Sequence, residues 1–199
     1  LSSESTLNTE TRSGGTTIQA SHEGAILSKK NLLTLGCEYT RNNFDSANSG
    51  IFLPSFTFRN MRSTKEDVAG IFLTDSFHLF ESLVVNGGFR YDWDRLDFTD
   101  EIDPTLSGNK TYRRVSPKAG LVYTPTKNLS FSFSYSEGVR IPTVDELFAQ
   151  GPFGSNPDLK AMTSRNFELG AKAQLQDWLD ASLALFYTPV RDEILFIVT

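Results

Sequence analysis

Side chains able to do chemistry are few in this sequence, and they do not cluster. His22 and His78 are the two histidines, and they fall on separate predicted strands. Neither belongs to an HExxH or GxSxG pattern, and no glycine-rich, phosphate-cradling segment is present. No catalytic residue, cofactor or metal site is therefore expected, and the chain reads as something other than an enzyme. Cys37 has no second cysteine to pair with and shares strand parity with Leu33, Leu35 and Tyr39, so it reads as an inert thiol on an apolar face. Asp100, Glu101 and Asp103 form an acidic run without the ligand spacing of a calcium loop, so a solvated charge run is the expected reading.

Aromatic rings next to arginine are what the sequence does concentrate. The stretch 45–64 carries Phe52, Phe56, Phe58, Arg59 and Arg62, and 139–163 carries Arg140, Phe148, Gln150, Phe153 and Asn156. Rings offer stacking faces and guanidinium groups a planar charge, a combination suited to an anionic, partly apolar ligand. Loop packing, with Arg140 bracing the loop base, is the other use of the same residues. A second set lies within predicted strands. Arg90, Asp92 and Asp94 share one parity, and Arg114 and Lys118 are assigned to the same face of the next strand. Facing opposite charges stabilise a strand pair by roughly 0.2–1 kcal/mol. On the inside of a barrel they would form a charge ladder in a wet lumen or meet a domain seated there.

The elements that must position these residues announce themselves by period. Residues 129–136 read LSFSFSYS, with Leu129, Phe131, Phe133 and Tyr135 on one parity and four serines on the other. Successive strand side chains point to opposite faces, so this is a strand with one apolar and one polar face. Residues 83–94 and 166–175 repeat the pattern, and 32–40 follow it less cleanly. Globular strands run about 5–6 residues. The runs 31–44, 65–80, 82–98 and 111–124 are roughly 14–17 long, enough to cross a bilayer at a tilt.

Nine strands are expected, near 3–12, 16–27, 31–44, 65–80, 82–98, 111–124, 128–138, 164–175 and 178–199, with a tight hairpin at Arg12–Thr16. Short connections alternate with longer ones near 45–64, 98–110 and 139–163, which would be the external loops. Pro189 cannot donate to a ladder and predicts a bulge, and 143–149 predicts one helical turn inside a loop. The fold class is all-β, an antiparallel up-and-down meander forming part of a transmembrane barrel. An odd strand count predicts a segment of a larger barrel.

Composition agrees. The 199 residues include 24 acidic and 19 basic side chains, for a net charge of −5, with 12% aromatics. Mean hydropathy is only −0.27, because two opposite faces average out. No apolar run is long enough for a membrane-spanning helix. Acidity without a basic stripe argues against nucleic acid. Aromatic content of this size argues against disorder.

One region carries a resemblance. In order come Ser134-Tyr135-Ser136, Val139-Arg140-Ile141-Pro142, Glu146-Leu147, Asn156-Pro157-Asp158-Leu159-Lys160 and Ser164-Arg165-Asn166-Phe167-Glu168-Leu169-Gly170. Gly88-Phe89-Arg90-Tyr91-Asp92 and Ala184-Leu185-Phe186-Tyr187 flank them. This ordered set resembles the signature region of TonB-dependent outer-membrane receptors. The resemblance implies a bacterial outer-membrane location and part of a barrel of about 22 strands, with no plug domain in this chain. It also implies uptake of a scarce solute, most simply a ferric siderophore captured by external loops. A TonB-type energy-coupling complex would act through the missing plug. Haem receptors of this family place a histidine between the two boxes. None occurs from Val139 to Lys160, which points away from haem. A small outer-membrane barrel with structural or enzymatic work, or a soluble β-sheet binding module, are the alternatives.

Overall fold

The structure, a computed structural model, describes residues 4–51, 57–148 and 156–195. Eight long strands follow one another as β1 (Glu4–Ile26), β2 (Lys29–Ile51), β3 (Thr57–Phe80), β4 (Leu83–Asp100), β5 (Gly108–Thr126), β6 (Leu129–Arg140), β7 (Met162–Gln176) and β8 (Leu179–Tyr187). A two-residue β9 (Val190–Arg191) pairs with β7, completing a nine-stranded sheet. Each long strand is antiparallel to the one before it, so the sheet is a meander, as the alternation predicts. Among the described residues β1 and β8 remain edges, and no helix is long and apolar enough to cross a membrane.

Register lines up the apolar parity of one strand with that of the next. A single row runs Phe77–Val85–Leu121–Phe133–Leu169–Leu185 from β3 to β8. The opposite parity is polar along much of the same strands, as Ser132 and Ser134 show. We call the face carrying Leu96 and Tyr112 the inner face, because the long connection after β6 packs on it. The apolar rows lie on the outer face. Side chains there stay open, with Leu183 at 62% and Leu185 at 60% exposure. Among the described residues, buried hydrophobic side chains gather in one small cluster at the end of the sheet.

Three expected boundaries are corrected. Residues 12–16 form no hairpin, since β1 runs unbroken and pairs Gly14 with Arg41 and Gly15 with Thr40. A Cβ at Gly15 would stand 2.8 Å from both Thr40 Oγ1 and Tyr39 O, so glycine here permits close strand approach instead of a reversal. The connection expected over 45–64 is mostly ladder, with Asn48 paired to Asn60. The expected strand 178–199 is interrupted at 188–189, and β9 then resumes the pairing of β8 with β7 in the same register, Phe167 facing Tyr187 and Ser164 facing Val190. The Arg165 N–H donates to Pro189 O at 3.0 Å across the gap. Proline, with no N–H to give, interrupts the ladder without the expected bulge.

These corrections leave a regular alternation. Two-residue turns at 27–28, 81–82, 127–128 and 177–178 lie at one end. The first is left-handed at Leu27 (φ 51°) and Ser28 (φ 63°), as a type I′ hairpin turn requires. The connections after β2, β4 and β6 leave from the other end, which we call the long-loop end.

Candidate ligand site at the long-loop end

The connection after β6 folds onto the inner face because its sequence carries its own cap. Thr143 and Glu146 form a capping box for α1 (Val144–Phe148). The Glu146 N–H donates to Thr143 Oγ1 at 3.3 Å, and the Thr143 N–H donates to Glu146 Oε2 at 2.7 Å. Arg140 Nη2 donates to the other carboxylate oxygen at 2.8 Å. Burial opposes ionisation of Glu146, but the Arg140 and Thr143 donors outweigh it and hold the carboxyl below its ordinary value.

One turn of helix then delivers two apolar groups. Leu147 is fully buried against Leu96 and Tyr112, and the Phe148 ring stacks on Phe98 at 5.3 Å with 4° between planes. The return path is pinned by strand β5, where Lys110 Nζ donates to Pro157 O (2.6 Å) and the Tyr112 hydroxyl to Leu159 O (3.1 Å). Asn156 Oδ1 accepts from the Asp158 N–H at 3.0 Å, so this side chain shapes the turn.

Between that loop and strands β1 to β4 lies a hollow of about 610 Å³. Phe44, Leu96, Phe98 and Ile141 give it apolar walls, and Arg62, Asn48, Asn60 and Glu66 give it polar ones. Arg62 sits with its Nε 3.5 Å from Asp100 Oδ2. Arg62 Nε and Asn48 Oδ1 are buried without a hydrogen-bond partner among the described residues. Such atoms are costly to leave unmet, and a ligand or ordered water would satisfy them.

The sequence-predicted residues are distributed as follows. Arg62 lines the hollow, while Phe148 and Arg140 fix its roof. Arg59 lies on the opposite strand parity, next to Met61 Sδ at 3.1 Å, so it does not converge with Arg62. Phe56, Gln150 and Phe153 lie outside the described residues, as does the Phe58 side chain. Phe44, Asn48 and Phe98 were hidden from motif reading, although strand parity carried past the bilayer length puts all three on the inner face.

Deeper on the inner face the charged set assembles. Arg90 bridges Glu38 on β2 and Asp92 beside it, the latter at 2.7 Å. Its side chain crosses β3 over Gly70, where a Cβ would stand 2.6 Å from Arg90 Nη2. Arg114 Nη2 lies 3.5 Å from Asp94 Oδ2, while Asp94 Oδ1 is buried without a partner among the described residues. Lys118 joins the same face near Gly88, with no ion pair among the described residues.

A long-stranded antiparallel meander with an open apolar outer face, a charged inner face and a folded-in loop is the pattern of a membrane β-barrel wall. Family comparison gives the particular group. The profile "TonB dependent receptor-like, beta-barrel" matches residues 2–199, and this chain belongs to that family. It is 32% identical over 112 residues to hemoglobin-haptoglobin utilization protein B of Neisseria meningitidis, covering 48% of this chain and 14% of that protein. It is similar in fold to the ferric-catecholate import receptor Fiu of Escherichia coli K12, with a TM-score of 0.74 and 19% identity over 92% of this chain and 32% of the receptor. The alcaligin outer-membrane receptor FauA of Bordetella pertussis gives 0.70 and 22%, over 94% and 30%. The chain thus spans about a third of these receptors. The family and fold neighbours are transport receptors, not enzymes.

Proposed function

We propose that this chain is barrel wall of an outer-membrane importer whose long-loop end faces outside, and that its solute is a ferric siderophore. Short turns inside and longer loops outside are the usual polarity of such barrels. The observation that carries the solute reading is the hollow at the mouth. It joins flat rings of Phe44 and Phe98 to a guanidinium, Arg62, with an unmet N–H, and no described histidine lines it. An anionic chelate with aromatic or apolar arms would stack and charge-pair there. Haem would want an axial ligand, and His22 and His78 are not among the lining residues. Phe56, Phe58, Arg59, Gln150 and Phe153 are proposed as the surrounding rim. On the same reading Arg90, Asp92, Asp94, Arg114 and Lys118 face a domain inside the barrel that couples to a TonB-type complex.

The hemoglobin-haptoglobin relative favours haem delivery as the second reading. Growth of a deletion strain, complemented with the full-length gene, on ferric siderophores, haem, haemoglobin and cobalamin separates the two. Rescue by an iron chelate alone is expected. The Arg62→Gln variant should weaken uptake by the loss of a charged hydrogen bond, about 1.5–3 kcal/mol. Rescue by haemoglobin or cobalamin, with no chelate effect, overturns the siderophore reading.

A further inference from the structure

Several arginines of this chain commit their donors to the carboxylates that hold them. Arg41 donates to Asp67 at 2.7 Å, Arg95 to Asp97 at 3.0 Å, Arg140 to Glu146 at 2.8 Å and Arg165 to Glu137 at 3.0 Å. Arg62 is held differently. Its register partner on β4 is Asp100, and its Nε stands 3.5 Å from Asp100 Oδ2, inside ion-pair range but without a hydrogen bond. The Nε–H is therefore fixed by charge yet has no acceptor among the described residues, and Arg62 lines the hollow.

Asp100 is itself held from several sides. It is buried and is not among the residues lining the hollow, so it stands behind Arg62. Its Oδ1 accepts the N–H groups of Ile102 at 3.0 Å and Asp103 at 2.9 Å, where the chain leaves β4. Ser107 Oγ accepts the Asp100 N–H at 3.0 Å, and Met61 O, next to Arg62 in the chain, accepts the Glu101 N–H at 2.9 Å. These bonds fix the carboxylate with Oδ2 turned to the guanidinium. Burial opposes ionisation of Asp100, but the Asp103 and Ile102 donors and Arg62 outweigh it and hold the carboxyl below its ordinary value.

We propose that Asp100 is a positioning residue for solute binding: it aims Arg62 into the hollow without taking the Nε–H that an anionic solute would accept. This rests on the proposal that the hollow binds an anionic ferric chelate. A carboxylate acting only as a counter-charge would have the opposite effect. It weakens the field that draws an anion, so neutralising it would tighten binding. Positioning predicts looser binding, because a guanidinium released from its fixed geometry must be ordered again by the ligand.

The test uses the full-length receptor in detergent, with ferric citrate and the ferric complex of 2,3-dihydroxybenzoylserine as probes in equilibrium dialysis. Asp100→Asn keeps an acceptor for the two loop amides and removes the charge. It should weaken probe binding roughly tenfold, within the range of couplings between touching residues. Arg62→Gln should weaken it about 10- to 150-fold, the worth of a charged hydrogen bond. The double variant should bind no worse than Arg62→Gln, since Asp100 acts only through Arg62. Ser107→Ala loosens the same connection, leaves the charge in place and should bind as the wild type does. Unchanged or tighter binding by Asp100→Asn, additive losses in the double variant, or an equal loss in Ser107→Ala overturns the proposal. Arg62 is also read without a chelate, by its rate of modification with phenylglyoxal, followed on its peptide by mass spectrometry. That rate should rise several-fold in Asp100→Asn, and an unchanged rate overturns the proposal. If neither chelate binds and the rate still rises, the siderophore reading falls and the positioning role stands.

Discussion

Glu146 shows how one carboxylate fixes the shape of a binding mouth. It caps α1, accepts from Arg140, and its backbone carbonyl receives the Asn156 N–H at 3.1 Å. Its folded pKa lies below the ordinary 4.5, so the charged form is the one the folded loop prefers. The stabilisation is therefore complete above about pH 4.5 and is lost as pH falls through the lower folded value. Hydrogen exchange of the peptide 141–161, corrected for intrinsic rate, should lose protection across that acid window in the full receptor. Glu146→Gln should start less protected and show no such step. A variant that keeps the step would assign it to another group. Single residues were only partly legible from sequence. Arg140 and Asn156 carry the right chemistry for a ligand, but both spend hydrogen-bonding groups on their own loop. Nothing local in the sequence distinguishes a guanidinium that braces from one that binds, because the difference is set by whether a carboxylate six residues away folds back to meet it.

Elements were legible where period decided them. Alternation at residues 129–136 fixed β6 and its register partners, since a slip of one residue would turn every Phe inward. The turn-like Gly14-Gly15 misled for a physical reason. Glycine serves both tight turns and close strand contacts, and only the partner strand shows which is in use. The loop lengths misled because polar residues such as Ser46, Asn48 and Ser63 mark a solvated strand as readily as a coil, once the sheet rises beyond the lipid. Helix α1 was legible as one turn over 143–149, and its role was not, since Leu147 meets Leu96 and Tyr112 only in three dimensions. That contact carries a prediction at this scale. Leu147→Ala should cost about 2–5 kcal/mol locally. The expected readout is fast exchange throughout 141–161 with the barrel's unfolding midpoint unchanged, because the strands keep their ladders. A fall in the global midpoint would instead mean that this cluster nucleates the sheet.

At the scale of the whole molecule, the missing quantity is a hydrophobic core. Burial within the chain reaches little beyond Leu96, Phe98, Tyr112 and Leu147, while Ile71, Phe89, Leu169 and Leu185 stay between 46% and 60% exposed on one continuous face. A soluble sheet of this size could not leave such a face open, because contiguous apolar patches are rare on monomers and drive association. Lipid supplies the other half of the core, and pairing within the meander satisfies the backbone between neighbouring long strands, leaving the outer sides of β1 and β8 as edges among the described residues. Depth then becomes measurable. Phe89 lies in the middle of the β4 apolar series and Trp93 at its end, with Arg113 opposite it and Arg95 the next outward residue. Phe89→Arg should destabilise the full receptor in vesicles by about 2–4 kcal/mol, whereas charge at the headgroup level costs only about 0–1 kcal/mol. Trp93→Arg should fall near that lower range apart from the lost ring. Ser132→Arg, on the polar inner face of β6, should be tolerated. Urea unfolding in vesicles measures all three. If Phe89→Arg proves as mild as Ser132→Arg, the outer face does not meet lipid, and a covering protein surface must take its place.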